Sequence, residues 1–155
     1  MGTEIERKFL VDHEKWDRLD KPEGVPYRQG YILSNAGQTI RVRVSDKQAI
    51  LNMKSKVSQL SRKEYEYEIP LADGLEILKA FTKNGTEKIR YNIPFGNKTW
   101  EVDVFSGENT GLIVAEIELN SEDEAFEKPD WVTTEVTDDD RYTNSSLAIH
   151  PYKNW

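Results

Sequence analysis

Seven segments of the chain alternate between charged and apolar residues with a period of two, the spacing at which the side chains of a β-strand point to opposite faces. In the first segment, Glu4, Glu6 and Lys8 share one face, and Ile5 and Phe9 share the other. The segments are 4–11, 39–44, 49–54, 62–69, 86–93, 99–105 and 112–119, and a less regular eighth covers 27–33. The pattern predicts a mainly β (α+β) protein with eight strands.

The polar faces of these strands carry full charges at nearly every position. The bases are Lys8, Arg41, Arg43, Lys54, Arg62, Lys88 and Arg90, and the acids are Glu4, Glu6, Glu64, Glu66, Glu68, Glu101, Asp103, Glu116 and Glu118. On a single strand, such a face is typical of a solvent-exposed surface. Its repetition over seven strands favours a shared interior, because about eight strands suffice to close a barrel. If the eight antiparallel strands close with that face inward, the barrel has a charged interior, and its apolar faces point outward.

A few short helices are expected to cover those outer faces. Asp12 is placed to cap a helix over 13–19, and leucines at helical spacing predict another over 71–82. Ser121 and Glu124 have the spacing of a capping box, and acidic residues open a predicted last helix over 138–149. No linker, internal repeat or low-complexity run divides the chain, so residues 1–155 are predicted to form one domain.

Composition excludes several classes of protein and site. A chain without cysteine has no disulfide scaffold or thiolate site, and a reducing cytoplasm is the expected location. No apolar run approaches the roughly 18 residues of a membrane helix, so no membrane partner is expected. The two histidines lie near opposite ends of the chain, which argues against a Ser-His-Asp triad or a histidine zinc site. The sequence leaves the oligomeric state open, including a homodimer.

The net charge of −7 taken as a sum argues against any polyanionic ligand, including nucleic acid. Sorted by strand face, however, the same charges place several bases in one confined volume. Arginine and lysine there suit phosphate oxygens, and clustered carboxylates suit hard divalent ions such as Mg²⁺ or Mn²⁺. The sequence thus favours a small polyphosphate substrate bound together with a metal, and no nucleic acid.

The charged positions also follow the order of a known motif series. The series begins with Glu4-Ile5-Glu6-Arg7-Lys8, an ExExK signature, and continues through Arg41-x-Arg43, Lys54, Glu64-x-Glu66-x-Glu68, Lys88-x-Arg90, Asp103, Glu116-x-Glu118 and Asp140-Arg141-Tyr142. Across essentially its whole length the chain resembles the CYTH domain family, also called triphosphate tunnel metalloenzymes. The resemblance implies that the barrel closes and that a divalent-metal-dependent reaction acts on a triphosphate.

The resemblance also implies roles for individual residues. Metal ligands would be Glu4, Glu6 and Glu118, completed or supported by Glu116 and Asp103. Phosphate-binding bases would be Lys8, Arg41, Arg43, Lys54, Lys88 and Arg90. Glu64 and Glu66 would hold a second metal or orient water. Beyond the resemblance, Arg141 is expected either to reach into the mouth of the channel or to form a helix cap or surface pair, and Tyr31 either to polarise the leaving phosphate or assist Lys8 or to serve as a packing residue. Arg62 and Glu101 are interpreted as members of internal salt bridges.

Hydrolysis of inorganic tripolyphosphate to diphosphate and phosphate is the favoured function, because the predicted phosphate-binding residues suffice for a triphosphate and no purine pocket is evident. The alternatives are a class IV-type adenylate cyclase and a nucleoside or thiamine triphosphatase. A cyclase needs a pocket for the base and a group that deprotonates a ribose hydroxyl. A noncatalytic polyphosphate-binding module comes last, because such a module tolerates loss of the acids and here all of them are present.

Overall fold

A computed structural model describes residues 2–155. The strands are β1 Gly2–Val11, β2 Val25–Ser34, β3 Gln38–Val44, β4 Ala49–Lys56, β5 Ser61–Ile69, β6 Gly85–Phe95, β7 Lys98–Phe105, β8 Ile113–Glu118 and β9 Val132–Glu135. The helices are α1 His13–Arg18, α2 Leu71–Phe81 and α3 Asn144–Ile149. Short 3₁₀ turns cover Gly107–Asn109, Asp140–Tyr142 and Tyr152–Asn154.

Strands β1 to β8 form a closed antiparallel barrel, as the sequence predicts. The hydrogen-bonded order is β5-β4-β3-β2-β6-β7-β8-β1, and β1 closes the ring by pairing with β5. Along one edge of β1, residues Gly2 to Ile5 pair with β5, and Phe9 and Val11 pair with the short β9. The ninth strand therefore lies outside the ring and covers the part of β1 that β5 does not reach.

The largest apolar cluster lies on the outer face of β1, β7 and β8. Trp100, Val102 and Ile117 are fully buried there, under Trp16 from α1 and Trp131 from the segment before β9. Trp100 contacts Phe9 and Trp131 edge to face, with ring centroids 5.6 and 6.2 Å apart. A second outer patch, formed by Val42, Val44 and Ala49, packs under α2. The apolar faces thus point outward under short covering elements, as expected.

One end of the barrel interior is apolar rather than charged. Leu10, Phe105 and Val114 continue the inward faces of their strands, and Leu147 of α3 packs against them with 1% of its surface exposed. Helix α3 therefore closes this end through hydrophobic contact. The charged part of the interior is confined to the remaining length of the barrel.

Three sequence expectations require correction. The predicted helix over 138–149 is interrupted, because Thr143 is extended (φ −69°, ψ 147°) and caps α3 by accepting a hydrogen bond from the Ser146 amide. The spacing of Ser121 and Glu124 produces a turn, in which the Glu124 amide donates to the Ser121 carbonyl, and no helix follows. Strand β9 was not predicted. The expected cap at Asp12 is confirmed, since its side chain accepts from the Lys15 amide at 3.1 Å.

Among residues 2–155, no helix is both long enough and apolar enough to cross a membrane.

Candidate functional site

A polar cavity of about 160 Å³ runs through the charged part of the barrel, and we call it the tunnel. Twelve of the residues predicted for the site line it: Glu4, Glu6, Lys8, Tyr31, Arg41, Arg43, Lys54, Glu64, Glu66, Arg90, Glu116 and Glu118. They come from seven strands, and in each case they occupy the strand face that the alternation assigns to the interior. The tunnel walls also include Thr39, Arg62, Glu101, Thr143, Asn144 and Ser145.

Three bases of the tunnel are poorly neutralised by the protein. Lys8 and Arg41 are each 7% exposed, and neither forms an ion pair with a carboxylate of the described residues. The contact of Arg43 is a long one, 3.9 Å from its Nη2 to Oε2 of Glu66. The buried Nε atoms of Arg41 and Arg43 have no hydrogen-bond partner in the described part of the chain. Buried donors normally have a hydrogen-bond partner, so the unpaired donors of these three bases are suited to an acceptor of opposite charge.

Mutual repulsion adds to the cost of holding these bases together. Burial lowers the pKa of the Arg43 guanidinium, and the neighbouring charges of Arg41 and Arg90 lower it further. Both effects disfavour the charged form, and a bound anion would reverse them.

The other tunnel bases have close partners. Lys54 Nζ lies 3.0 Å from Glu4 and 3.7 Å from Oε2 of Glu64. Arg90 donates from Nη1 to Glu101 at 3.1 Å and from Nε to Asp103 at 2.8 Å. The prediction that Glu101 takes part in an internal salt bridge is confirmed. No such pair forms at Arg62 within residues 2–155, contrary to our interpretation, since its side chain lies where the tunnel opens beside Lys54.

Lys88 and Asp103 form a buried pair beside the apolar end of the barrel. Lys88 Nζ lies 2.7 Å from Oδ2 of Asp103, donates to Oδ1 of Asn144 at 3.2 Å, and sits 5.7 Å from the centre of the Phe105 ring. Burial alone would raise the pKa of Asp103, but Arg90 and Lys88 hold it well below its ordinary value. Both oxygens of Asp103 thus accept hydrogen bonds from bases. As placed here, Asp103 neutralises Lys88 and Arg90 and does not face the tunnel as an open metal ligand.

Arg141 is not brought into the tunnel. Its guanidinium is exposed, donates to Asp139 at 2.6 Å, and stacks 4.7 Å above the Trp155 ring. The short turn over Asp140–Tyr142, which replaces the first part of the predicted helix, directs the side chain outward. The expectation that Arg141 reaches into the channel mouth is therefore not met.

A row of carboxylates lies along the inner faces of β1 and β8. Glu6 lies opposite Glu118 in the strand register, and Glu116 lies opposite Lys8. Burial raises the pKa of Glu116, and the charge of Glu6 raises it further. Burial likewise raises the pKa of Glu118, with a further contribution from Glu4. Carboxylates that repel one another in this way are suited to a divalent cation.

The donor set is compatible with a hard metal ion but does not enclose one by itself. Within residues 2–155, no three acidic or histidine side chains converge closely enough to form a complete metal site. This is the arrangement expected for Mg²⁺, which usually takes one or two carboxylates and completes its shell with water and substrate phosphates. Glu4, Glu6 and Glu118, the ligands that the resemblance implies, all line the tunnel.

Sequence reasoning missed two polar residues of the site: Asn144 lines the tunnel, and Asn52 lies behind the lining and contacts Glu64. Asn52 is 1% exposed and donates from Nδ2 to Oε2 of Glu64 at 3.0 Å. Asn144 joins the tunnel wall to α3 and accepts a hydrogen bond from Gln29 at 2.8 Å. Asn52 shares a strand face with Lys54, so the strand alternation could have placed it in the interior. The position of Asn144 could not be predicted in this way, because it depends on the break in the helix at Thr143.

Comparisons with known proteins agree with this architecture. The CYTH domain profile matches residues 2–147. An inorganic triphosphatase of Acetivibrio thermocellus is 49% identical over 100% of this chain and 99% of its own length. An inorganic triphosphatase of Nitrosomonas europaea is 38% identical over 95% of this chain and 97% of its own.

A solved inorganic triphosphatase superimposes with a TM-score of 0.65 at 35% identity, covering 96% of each chain. The profile spans nearly the whole barrel, and the relatives match from end to end. The chain belongs to the CYTH domain family.

Proposed function

We propose that the chain is a divalent-metal-dependent triphosphatase that hydrolyses inorganic tripolyphosphate to diphosphate and phosphate. The observation that carries the proposal is the set of buried bases without full counterions, Lys8, Arg41 and Arg43, inside a closed polar tunnel. The names of the two relatives, both inorganic triphosphatases, support the same substrate.

The bases bind and orient the phosphate chain. The guanidinium groups of Arg41 and Arg43 present planar donors that match phosphoryl oxygens, and the Lys8 ammonium adds a point charge. Lys54 and Arg90 add positive charge to the walls while they hold Glu4, Glu101 and Asp103 in place. Held in this way, a triphosphate presents its terminal phosphorus to one side of the tunnel.

The carboxylates supply the metal site. Glu4, Glu6 and Glu118 would hold Mg²⁺ or Mn²⁺, with Glu116 in support. A divalent ion held there would supply positive charge that offsets the negative charge of the phosphate oxygens and of the carboxylates that face them. Without it, the carboxylates of β1 and β8 would repel the substrate that the bases attract.

Glu64 and Glu66 are placed to orient water from the β5 wall. Attack of that water forms a bond from its oxygen to the terminal phosphorus and breaks the bond from this phosphorus to the bridging oxygen. The products are diphosphate, phosphate and one proton, and no protein nucleophile is required. Tyr31 lines the same cavity and is placed to donate a hydrogen bond to the departing diphosphate.

Phosphate release from tripolyphosphate, ATP and thiamine triphosphate, each with Mg²⁺ and with Mn²⁺, tests the proposal. We expect tripolyphosphate to be the best substrate and turnover to stop when EDTA is added. A cyclic AMP assay on the ATP samples distinguishes hydrolase from cyclase. Cyclic AMP formation with inert tripolyphosphate would show that the proposed reaction is wrong.

A further inference from the structure

Asn52 is an uncharged amide buried among the charges of the barrel interior. It lies on β4 between Arg41 of β3 and Glu66 of β5 in the strand register, on the face that carries Lys54. Its side chain is 1% exposed. A polar group this deep needs a partner for each of its hydrogen-bonding atoms, and its partners therefore indicate its role.

The amide nitrogen of Asn52 fixes one oxygen of Glu64. Nδ2 donates to Oε2 at 3.0 Å, and Lys54 Nζ lies 3.7 Å from the same oxygen. Oε1 of Glu64 accepts no hydrogen bond from the described residues. The carboxylate is thus held through Oε2, and it also lies close enough to the Glu4 carboxyl to raise the pKa of Glu4.

The amide oxygen of Asn52 is unsatisfied. Oδ1 is buried and has no hydrogen-bond partner within residues 2–155. An unpaired buried acceptor costs about 1–3 kcal/mol, so a partner is expected when the site is complete. Oδ1 is an acceptor, so its partner must be a donor. A phosphate oxygen without a proton can only accept a hydrogen bond and therefore cannot be that partner. A water molecule meets this requirement and can also donate to Glu64.

We propose that Asn52 is a positioning residue, which fixes Glu64 through Nδ2 and accepts through Oδ1 a hydrogen bond from the water that Glu64 orients. The role rests on the proposed function, because it assigns the water to hydrolysis. Asn52 itself makes no bond to the substrate. Its loss is expected to slow the reaction without weakening substrate binding.

Asn52→Leu removes both hydrogen bonds at similar volume, and Asn52→Ser keeps a smaller donor and acceptor. We expect Asn52→Leu to lower kcat about tenfold with KM within about twofold, and Asn52→Ser to recover part of kcat. Asn109→Leu is the matched control, because Asn109 is also a buried asparagine (3% exposed) but accepts from the Tyr152 amide outside the tunnel. It should cost stability and leave kcat unchanged.

A double-mutant cycle with Glu64→Gln identifies the residue through which Asn52 acts. If Asn52 works through Glu64, Asn52→Leu should lower kcat little in the Glu64→Gln background. An equal decrease in both backgrounds would overturn the inference, as would an unchanged kcat in folded Asn52→Leu and Asn52→Ser proteins. Wild-type protein that releases no phosphate would overturn the proposed function, and this role for Asn52 with it. Active wild type with unaffected Asn52 variants would overturn the role alone.

Discussion

The two faces of the barrel wall differ in what they contribute. The outer face of β1, β7 and β8 carries an apolar aromatic cluster in which Trp100 and Val102 are fully buried. The inner face of the same strands carries Lys8, which has no ion-pair partner among the described residues, and Glu116, whose pKa is raised by burial and by the charge of Glu6. Successive residues of one strand therefore have different roles. The outward-facing residues stabilise the fold, and the inward-facing residues hold unfavourable charges that a bound ligand would neutralise.

The different roles of the outer and inner faces can be tested by substitutions on each face. Substitutions on the outer face should change the free energy of unfolding and leave binding intact. Substitutions of the inner-face bases without close counterions, Lys8, Arg41 and Arg43, should change binding or turnover and leave stability nearly unchanged, or raise it. The predictions below follow in order of expected effect.

Trp100→Ala should lower the free energy of unfolding by about 3–5 kcal/mol, because it removes a fully buried indole from the centre of the outer cluster. Urea unfolding followed by circular dichroism measures the change. Trp155→Ala is the control, since Trp155 is 38% exposed and should cost much less. Equal losses for the two variants would place the stabilising core elsewhere.

Glu4→Gln should reduce metal-dependent turnover at least about 100-fold, because a carboxylate that faces both Lys54 and the metal site becomes neutral. The unfolding free energy should also fall, because Lys54 loses the charge of a carboxylate 3.0 Å away and keeps only a neutral hydrogen bond to glutamine. Steady-state phosphate release across Mg²⁺ concentrations gives the comparison. Unaltered turnover would remove Glu4 from the metal site.

Arg43→Ala should weaken tripolyphosphate binding by about 1–3 kcal/mol, the contribution of one charge-assisted hydrogen bond. Stability should hold or rise, because the substitution relieves repulsion with Arg41 and Arg90. The matched control is Arg28→Ala on the outward face of β2, where the side chain is exposed. Similar losses of affinity for both variants would show that the effect depends on general charge.

The melting temperature of the metal-free protein should rise as the pH falls from about 7 to about 5. Folding raises the pKa of Glu116 and Glu118, so protonation favours the folded state, and this stability is lost as pH rises through the raised values. Lys88 opposes the trend above about pH 7, because burial lowers its pKa to about 7 and the folded state then binds fewer protons than the unfolded state. Below about pH 4 the trend should reverse, because Asp103 is protonated in the unfolded protein at a pH where its lowered pKa keeps it charged in the folded protein.

Glu116→Gln should flatten the rise between about pH 7 and pH 5, whereas Glu108→Gln, on the exposed surface, should not. Scanning calorimetry in matched buffers measures both profiles. A wild-type profile without that rise would contradict the repulsion assigned to β1 and β8.

Strand alternation predicted which side chains meet in the tunnel because period two is a local property of each strand. Glu4, Lys8, Arg41 and Arg43 could therefore be assigned to one interior from sequence alone. Barrel closure could not, since it depends on the pairing of β1 with β5, which are far apart in the chain.

The features that the sequence did not predict depend on tertiary context. Asp103 sits on the expected face, but its engagement with Lys88 and Arg90 follows from the register of β6 and β7, which places Arg90 directly opposite Asp103. Arg141 was misplaced because an extended residue, Thr143, interrupts a segment with helical composition. Strand β9 is only four residues long and forms by covering β1, so its own sequence carries little signal.

The central claim is that the inner-face bases are held unsatisfied for a triphosphate. It is tested most directly by the melting temperature of wild-type and Arg41→Ala proteins with and without tripolyphosphate. Without ligand, the account predicts that Arg41→Ala melts no lower than wild type. With ligand, wild type should rise clearly and Arg41→Ala much less, because binding to the folded state alone stabilises it. An equal rise in both proteins, or none in wild type, would contradict the account.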